Sequence, residues 1–353
     1  MKIGIFDPYL DTLGGGERYM LTLAECLSKS NKVFVFWNDH SIIEKAEKKF
    51  GLDLKNVKMT KNVFSNTTKI YRFFATFGYD RIILLSDGSI PVLPAKKTFV
   101  HFQAPLKEEN VMSTTKAKLK AIKAIIVNSY YTKKYIDQAF SRNSTVIYPP
   151  VEVDKFSNTK KKENIILTVG RYSRIPGGDF KKHTEMIKAF KDLVDAGLKG
   201  WKFHMVISHL PRDEEKVQGL INTVGNYPIK IVTKASNEEI IDLYEKSKIY
   251  WHAAGYGEDL HKNPDHAEHF GIAIVEAIAA GAVPVVFGAG GLKEIVEKGD
   301  VGRVWNNLNE LKVITNELIS NELLRREFIA RGTKEAGFYS KDRFCKEVTE
   351  LVK

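Results

Sequence analysis

The stretch EHFGIAIVEAIAAGAVPVVF, residues 268–287, joins an apolar helix to a buried strand. A helix is predicted over Ile272–Ala280, and the β-branched run Val283–Phe287 is typical of a strand that is covered on both faces. A helix that leads directly into such a strand is part of a βαβ unit, from which parallel sheets are built. The stretch therefore indicates an α/β fold.

The same alternation of short apolar runs and longer amphipathic runs extends over most of the chain. In the first half the predicted strands are Ile3–Phe6, Val33–Trp37, Ile82–Leu85, Thr98–Phe102, Ile125–Val127 and Val146–Tyr148. In the second half they are Ile165–Val169, Phe203–Ile207, Ile231–Val232, Ile249–His252 and Val283–Phe287. From about Asn306 onward the pattern predicts helices alone.

Two domains are predicted, because 353 residues exceed what a single core usually supports. The prolines at 149 and 150, and the polar, lysine-rich residues after them, interrupt the alternation and predict a linker over 149–162. We expect one doubly wound domain over residues 1–150 and a second over 151–353. The last helix, at about 340–353, is expected to pack back on the first domain.

Residues 268–287 also carry candidate ligand-binding groups. Glu276 lies in an otherwise apolar helix, so its carboxylate needs hydrogen-bonding partners, and the vicinal hydroxyls of a ribose meet that need. The backbone N–H groups of Gly271 and Ile272, at the helix start, suit phosphate or sugar oxygens. The alternative is that Glu276 pairs with a buried lysine or arginine.

Three consecutive glycines, Gly14-Gly15-Gly16, follow the first predicted strand and precede a helix. Glycines at such a junction let backbone N–H groups, here those of Gly15 and Gly16, approach an anion. The spacing is neither the dinucleotide GxGxxG nor the GxxxxGK[ST] of a P-loop, so both of those chemistries are disfavoured. A flexible loop without a ligand is the alternative.

The cysteines and the hydropathy pattern give an expectation of location. Cys26 and Cys345 lie near opposite ends of the sequence and form no CxxC pair. We therefore expect no disulfide framework, no structural zinc, two thiols buried as small core residues, and a reducing cytoplasm. We expect neither a secretion signal nor a membrane span, because no window approaches the roughly 20 apolar residues that a span needs.

The net charge of +11 is concentrated in the first half. Residues 1–150 hold 23 Lys and Arg against 13 Asp and Glu, whereas the remainder holds 31 against 30. This asymmetry predicts an acidic partner for the first half: anionic lipid, a phosphate-bearing acceptor or nucleic acid. A lysine-rich surface that serves solubility is the alternative. The side chains expected to meet an anionic membrane are Lys116, Lys118, Lys120 and Lys123.

Five segments, in order along almost the whole chain, resemble the retaining family-4 glycosyltransferases (glycosyl transferases group 1). They are FVHFQAP at 99–105, IVNSYYTKKYI at 126–136, IYPPVEVDKF at 147–156, IILTVGRYSRIPGGDFKKHTEMIKAF at 165–190, and the E-x7-E pair at 268 and 276. The string EHFGIAIVEAIAAG is also similar to the mannosyltransferases that build lipid-linked oligosaccharides. The resemblance implies the GT-B fold, two Rossmann-like domains that face each other across a cleft.

The resemblance assigns the donor diphosphate to Arg171 and Lys181, the ribose to Glu276, and the transferred sugar to Glu268. Two fixed cations can stabilise the charge that develops on a departing nucleoside diphosphate, so no metal is expected. Residues 175–179 depart from the family pattern as an altered loop, which leaves Lys182 open as the alternative to Lys181.

On the first domain, the resemblance implies that His101 contacts the sugar, because it ends a strand where open α/β sheets bind ligands. Asn128 and Ser129 end another strand and are expected to shape the acceptor side. The implied reaction is metal-independent, retaining transfer of a hexose of the mannose or glucose type to a glycan or lipid-linked acceptor. The donor would be GDP- or UDP-linked, no separate cofactor is expected, and the enzyme would be cytoplasmic or peripheral at the inner face of the membrane.

Three other interpretations remain open at this stage. A metal site is conceivable around His252, His261, His266 and His269, although their spacing matches no zinc motif. A sugar-nucleotide epimerase on the same fold would alter the donor without any acceptor. A non-enzymatic protein that binds sugar or nucleic acid is disfavoured, because no nucleic-acid-binding motif accompanies the positive charge.

Overall fold

The computed structural model describes residues 1–94, 98–110, 113–120, 122–157, 159–175 and 178–353. It divides the chain into two compact units. The first unit is Met1–Pro150 together with Lys341–Lys353, and the second is Val151–Ser340. Each unit is built on a parallel sheet with helices on its faces, so the predicted α/β class is confirmed.

The first unit has a seven-stranded parallel sheet. Its strands are β1 (Lys2–Phe6), β2 (Lys32–Phe36), β3 (Val57–Thr60), β4 (Arg81–Ser86), β5 (Thr98–Phe102), β6 (Ala124–Val127) and β7 (Thr145–Val146), in the order β3-β2-β1-β4-β5-β6-β7. Its helices are α1 (Gly15–Ser28), α2 (Ile42–Phe50), α3 (Lys69–Phe77), α4 (Ser113–Lys120), α5 (Tyr130–Phe140) and, from the end of the chain, α13 (Lys341–Val352). The strand order reverses between β1 and β4, which is the arrangement of a doubly wound sheet.

The core of the first unit has two layers, one on each face of the sheet. Because side chains alternate along a strand, Ile83 of β4 packs with Phe344 and Val348 of α13 on one face, whereas Ile82 and Leu84 belong to the layer on the other. The C-terminal helix is therefore an integral part of the first core.

The two cysteines form a disulfide, so the prediction of two separate core thiols is wrong. Cys26 of α1 is bonded to Cys345 of α13, across 319 residues of sequence. The Lys341 ammonium adds an ion pair with Glu25 at 2.6 Å between the same two helices. Sequence spacing could not reveal this bond, because the fold brings the two ends together only after the whole chain is placed.

The second unit has a six-stranded parallel sheet and a small hairpin. The strands are β8 (Glu163–Arg171), β9 (Arg174–Ile175), β10 (Gly178–Asp179), β11 (Lys202–Ser208), β12 (Ile229–Val232), β13 (Ser247–His252), β14 (Val283–Phe287) and β15 (Arg303–Trp305). The helices are α6 (His183–Asp195), α7 (Glu214–Thr223), α8 (Asn237–Lys246), α9 (Ile272–Ala279), α10 (Gly290–Gly299), α11 (Leu308–Ser320) and α12 (Glu322–Ala336). The sheet order is β12-β11-β8-β13-β14-β15, with β9 and β10 paired antiparallel outside it.

The altered loop predicted at 175–179 is the β9–β10 hairpin, of which Pro176 and Gly177 lie outside the described residues. The predicted linker at 149–162 contains a helical turn over Val153–Lys155, and Val151 pairs with Ser340; Asn158 lies outside the description. Among the described residues, no helix combines the length and the hydropathy needed to cross a membrane.

Candidate active site

The second unit brings Lys181, His252 and Glu268 together at the carboxyl edge of its sheet. The Lys181 ammonium forms an ion pair with the Glu268 carboxylate, and His252 Nε2 lies 3.2 Å from each of these two groups. Lys181 follows β8 and its hairpin, and His252 ends β13. These strands are neighbours at the point where the strand order reverses, which is where open α/β sheets bind ligands.

Gly170, near the end of β8, makes room for the Lys181 side chain. A Cβ atom at position 170 would lie 3.2 Å from the Lys181 Cε, closer than most real contacts. The glycine therefore lets the lysine stem cross the strand end and reach Glu268. An ammonium group has three N–H donors, so Lys181 can hold Glu268 and still donate to a phosphate oxygen.

The electrostatics of this group keep Glu268 ionised and His252 neutral. Burial opposes ionisation of Glu268, but the Lys181 charge and the His252 hydrogen bond hold its pKa well below the usual range. Burial and the Lys181 charge lower the pKa of His252 to about 4. Because His252 Nδ1 accepts a hydrogen bond from the Ala254 N–H at 3.3 Å, the ring proton is on Nε2 and is directed at Glu268.

Lys182, the open alternative to Lys181, has a different environment. Its ammonium is paired with Glu258, which also accepts a hydrogen bond from His266 Nδ1 at 2.7 Å. The side chain of Lys182 is 5% exposed, against 17% for Lys181. Lys182 is therefore committed to an ion pair with the loop that follows β13, and this contrast favours Lys181 as the cation that meets a ligand.

Arg171 is exposed as the last residue of β8. In the part of the chain that the structure describes, its guanidinium makes no hydrogen bond and no ion pair. A guanidinium offers five N–H donors in a planar fork that matches phosphate geometry. Arg171 thus supplies an available cation at the same sheet edge as Lys181.

Helix α9 places Glu276 one and a half turns inside its start at Gly271. The buried hydroxyl of Tyr244 donates a hydrogen bond to Glu276 Oε2 at 3.1 Å. Burial and the charge of Glu276 raise the pKa of Tyr244 well above its ordinary value, so the phenol stays a donor. Gly271 has a left-handed φ of 115°, and Ile272 is the first helical residue, so their backbone N–H groups lie at the positive end of the helix.

The loop that carries Glu268 is held against the start of α10 by close backbone packing. The Gly291 N–H donates to the Glu268 carbonyl oxygen at 2.8 Å. A Cβ atom at position 291 would lie 2.5 Å from the His269 carbonyl oxygen and 2.6 Å from the Phe270 Cα. Only glycine fits there without moving the loop, which fixes the position of Glu268.

The glycine loop of the first unit is ordered by a network at the carboxyl edges of β1, β5 and β6. Gly14 caps α1, which begins at Gly15, and the Glu17 carboxylate accepts from the Gly14 N–H. The Gly16 carbonyl oxygen accepts from Gln103 Nε2 at 3.1 Å, and the Gln103 carbonyl oxygen accepts from Asn128 Nδ2 at 2.9 Å. Asn128 therefore supports this loop, and the anion-binding role predicted for Gly15 and Gly16 stays a prediction.

Ser129 and His101 both lie in buried environments. The Ser129 hydroxyl accepts a hydrogen bond from the Thr132 N–H at 3.0 Å and caps α5. The His101 ring stacks on Tyr19 at 4.1 Å, and its Nδ1 lies 3.3 Å from the Ile126 carbonyl oxygen. Burial lowers the pKa of His101 to about 3, so the ring is neutral. The His101 side chain is fully buried, and its contact with a sugar stays a prediction.

Asp7, which the sequence did not single out, follows β1 beside the glycine loop. Its side chain is 1% exposed; Oδ1 accepts from the Tyr9 N–H at 2.9 Å, whereas Oδ2 has no hydrogen-bond partner among the described residues. Burial raises the pKa of Asp7 to about 7, and the nearby charge of Glu17 adds to the effect. Asp7 is therefore a carboxyl group that titrates near neutral pH at the strand-reversal point of the first sheet.

A pocket of about 330 Å³ opens at the carboxyl edge of β1, β2 and β3. The residues that line it are Phe6, Pro8, Trp37, Asn38, Asp39, Asn62 and Ser65. Two aromatic side chains provide apolar walls, and the amide, carboxylate and hydroxyl groups provide hydrogen-bonding positions. None of these seven residues carries a positive charge, so the lining suits a neutral polyhydroxyl ligand better than an anion.

His252 was considered only as a metal ligand and not as a donor-site residue, although it too ends a strand at the ligand-binding edge. The rule that selected His101 would have selected His252 equally well. In the described ranges no three His, Cys, Asp or Glu side chains are grouped as a metal ion would require, and His266 is instead bonded to Glu258. Of the predicted lysine cluster, Lys118 donates to the Ile90 carbonyl oxygen at 2.9 Å, and the side chains of Lys116 and Lys120 lie outside the described residues.

A family model described as "Glycosyl transferases group 1" matches residues 151–335, which contain all of the second-unit groups described above. The match covers more than half of the chain. The protein therefore belongs to the group 1 glycosyltransferases and is an enzyme of that family, as the sequence predicted.

Curated relatives include a Caenorhabditis elegans protein named GDP-Man:Man(3)GlcNAc(2)-PP-Dol alpha-1,2-mannosyltransferase. It is 20% identical over 392 residues, which cover 88% of this chain and 81% of the relative. A protein of the same name from Eremothecium gossypii is 26% identical over 187 residues, which cover 50% of this chain and 30% of the relative. The predicted resemblance to the mannosyltransferases of lipid-linked oligosaccharides is confirmed by these relatives.

Solved structures agree on the fold. Anabaena HepE in complex with UDP superposes with a TM-score of 0.75 at 18% identity and covers 99% of both chains. A glycosyltransferase from Rickettsia africae has a TM-score of 0.75 at 16% identity and covers 99% of this chain and 97% of its own. The predicted two-domain GT-B fold is confirmed.

Proposed function

We propose that this glycosyltransferase moves a hexose from a nucleoside diphosphate sugar to a saccharide acceptor that is carried on a lipid. The observation that carries the proposal is the group formed by Lys181, Glu268 and His252, with Arg171 available at the same sheet edge. Cations beside a fixed carboxylate match a ligand that combines a diphosphate with sugar hydroxyls. The relatives named for GDP-Man and a PP-Dol oligosaccharide support this choice of donor and acceptor, and HepE bound to UDP-glucose supports a nucleotide sugar.

Each donor group has a separate role in this proposal. Arg171 and Lys181 bind the diphosphate, the backbone N–H groups of Gly271 and Ile272 bind its oxygens, and Glu276 accepts both ribose hydroxyls. Glu268, ionised and oriented by its partners, accepts hydrogen bonds from the transferred sugar. We expect no metal in the reaction, because two cations already oppose the charge of the leaving diphosphate.

The reaction is proposed to retain the configuration of the sugar. As the bond between the anomeric carbon and the diphosphate breaks, negative charge grows on the leaving oxygen, where Lys181 and Arg171 stabilise it. The acceptor hydroxyl attacks from the same face, and its proton passes to a leaving phosphate oxygen. His252 is neutral with its proton committed to Glu268, so its role is to position Glu268 rather than to exchange protons.

The pocket beside Trp37 is the proposed site for the acceptor saccharide. A sugar ring has apolar faces that can rest on Trp37 and Phe6, and hydroxyls that can bond with Asn38, Asp39 and Asn62. A phosphate group would find no cation among these residues. The pocket would therefore hold the neutral glycan, while the pyrophosphate-lipid end lies on the basic surface outside it.

Calorimetric titration without divalent metal tests the donor site. We expect one of GDP and UDP, together with its sugar conjugate, to bind the full chain, and Arg171→Ala to weaken this binding by roughly a hundredfold. Arg326→Ala is the matched control, because Arg326 is an exposed arginine of the same unit whose partner is Glu322 on its own helix. Equal binding by both variants, or no binding of any nucleotide, would overturn the assignment.

Transfer itself is tested with a radiolabelled sugar nucleotide and a lipid-linked oligosaccharide acceptor. Label in the lipid fraction is the expected result, and Trp37→Ala should raise the KM for the acceptor while the KM for the donor stays unchanged. An isomerised sugar nucleotide formed without acceptor would instead establish an epimerase and contradict the proposal.

A further inference from the structure

Helix α3 exposes an apolar face. The exposed fractions are 72% for Ile70, 70% for Phe74 and 59% for Phe77, and Tyr71 beside them is also exposed. Positions 70, 74 and 77 follow the i, i+4, i+7 spacing of one helix face. Single exposed apolar residues are ordinary, but four on a nine-residue helix form a patch of the kind that marks an interaction site.

The orientation of α3 is set by hydrogen bonds to the segment before it. The Arg72 guanidinium donates to the Val63 and Phe64 carbonyl oxygens at 3.3 and 3.2 Å, and the Thr68 hydroxyl accepts from the Tyr71 N–H at 3.2 Å. Thr76, on the inner side of the helix, is buried. The apolar face is therefore held outward by the polar residues of the same helix rather than left to reorient.

The charges of α3 and of the residues that precede it in the sequence indicate the kind of surface that it fits. Residues 54–79 carry five Lys and Arg and no Asp or Glu. Lys58, Lys61 and Lys69 are exposed and make no ion pair within the described part of the chain. A second copy of this chain would bring the same positive surface against itself and would be repelled. An anionic bilayer satisfies both features, because its headgroups attract the lysines and its acyl boundary accepts the aromatic side chains.

We propose that α3 lies in the headgroup region of an anionic membrane, with Ile70, Phe74 and Phe77 inserted among the acyl chains. This inference does not depend on which nucleotide or sugar the enzyme uses. Ser65, which lines the pocket beside Trp37, lies four residues before the first residue of α3. Insertion of α3 therefore holds that pocket at the membrane surface, where a lipid-carried saccharide is presented.

Vesicle co-sedimentation of the full chain tests the proposal. The wild-type protein should bind vesicles of phosphatidylcholine mixed with phosphatidylglycerol, and should bind pure phosphatidylcholine more weakly. Ile70→Ser combined with Phe74→Ser should lower the affinity by roughly tenfold or more, because two large apolar side chains no longer leave water. Val313→Ser combined with Leu323→Ser is the matched control, since these residues are 68% and 72% exposed on the second unit.

Two further measurements keep the result decisive. Calorimetric nucleotide binding by the α3 variant should equal that of the wild type, which separates loss of membrane contact from loss of fold or of the donor site. A Phe74→Trp variant should show a blue-shifted emission that brominated lipid quenches. Equal vesicle binding by wild type and α3 variant, or no binding by the wild type, would overturn the proposal. A lipid-free dimer that the α3 variant dissociates would overturn it in favour of a second copy.

Discussion

The Lys181 ammonium and the Glu268 carboxylate form an ion pair although 87 residues separate them in the sequence. The pair joins the loop before α6 to the loop before α9, and His252 contacts both members from the end of β13. Three segments of the second unit therefore share one charged group. The Glu268 carboxylate in this group is held ionised and fixed by its two partners, which is what the proposed donor site requires of it.

Removal of either member of this pair should reduce transfer strongly. Lys181→Ala should lower kcat by about 10²- to 10³-fold, because one of two cations no longer opposes the leaving charge. Glu268→Gln should also lower kcat, and the double variant should lose less than the product of the two single effects, because the residues act as a unit. Initial rates of sugar transfer provide the measurement. Lys293→Ala, in an exposed pair on α10, should leave the rate unchanged.

The ribose role of Glu276 can be separated from any structural role by changing the ligand. Glu276→Ala should weaken binding of the nucleoside diphosphate by roughly tenfold or more, because two charge-assisted hydrogen bonds are lost. It should not weaken binding of the 2′,3′-dideoxy analogue, which has no hydroxyls to donate. Calorimetric titration of the wild type and of Glu276→Ala with each of the two ligands provides the measurement. An equal loss for the two ligands would show that Glu276 acts through folding rather than through the ribose.

Backbone packing at Gly291 should be sensitive to a single methyl group. Gly291→Ala would place a Cβ 2.5 Å from the His269 carbonyl oxygen, and we expect a loss of about 1–3 kcal/mol in the free energy of unfolding together with reduced transfer. Gly219→Ala on α7 is the control, because nothing lies within 4 Å of the new methyl group. The free energy of unfolding of that variant should rise by about 0.5–1 kcal/mol, because alanine favours a helix more than glycine does. Urea unfolding of the two variants measures both effects.

Asp7 should make the first unit less stable as the pH rises. Its pKa in the folded state is about 7, against an ordinary value of 3.8, so between these values the folded chain keeps a proton that the unfolded chain has released. The free energy of unfolding therefore falls as the pH rises through this window. Asp7→Asn should flatten that dependence and raise stability above pH 7. Urea unfolding at a series of pH values between about 4 and 8 measures this dependence. Asp53→Asn is the control, because Asp53 is an exposed carboxyl of the same unit. Parallel curves for wild type and Asp7→Asn would contradict the prediction.

The disulfide should contribute to the stability of the first unit. Cys26→Ser should lower the free energy of unfolding by about 2–4 kcal/mol under oxidising conditions, because the unfolded chain regains the freedom of its two ends. Reduction of the wild type should produce a loss of similar size, and the Cys26→Ser variant should not respond to the reductant. Thermal unfolding with and without dithiothreitol tests this, and a wild-type transition that ignores the reductant would contradict it.

Local patterns predicted the sheets well where a strand is a continuous apolar run. Thr98–Phe102 and Val283–Phe287 have the predicted bounds, because breakers or polar residues stand on both sides. β3 and β15 were missed, since VKMT at an edge is half polar and RVW has only three residues. These short strands are specified by their parallel neighbours, β2 and β14, rather than by their own composition.

The residues of the candidate site likewise fall into those that local sequence patterns predict and those that they do not. Glu268 and Lys181 could be proposed because each lies in a recognisable segment, and the structure adds that they touch. The pKa shifts of His252 and Asp7 depend on burial beside particular charges, which no local pattern encodes. The bond between Cys26 and Cys345 depends on where α13, the last helix of the chain, packs on the first unit.

The Cys26–Cys345 bond turns the chain into a covalent ring with two short tails. All of the second unit lies within this ring, since residues 151–340 fall between the two cysteines. A protease that cuts once anywhere in the ring would release no fragment until a reductant is added, and the two pieces would migrate together on a non-reducing gel. The second unit is thus fastened to the first by two independent covalent routes, one through each end of its sequence.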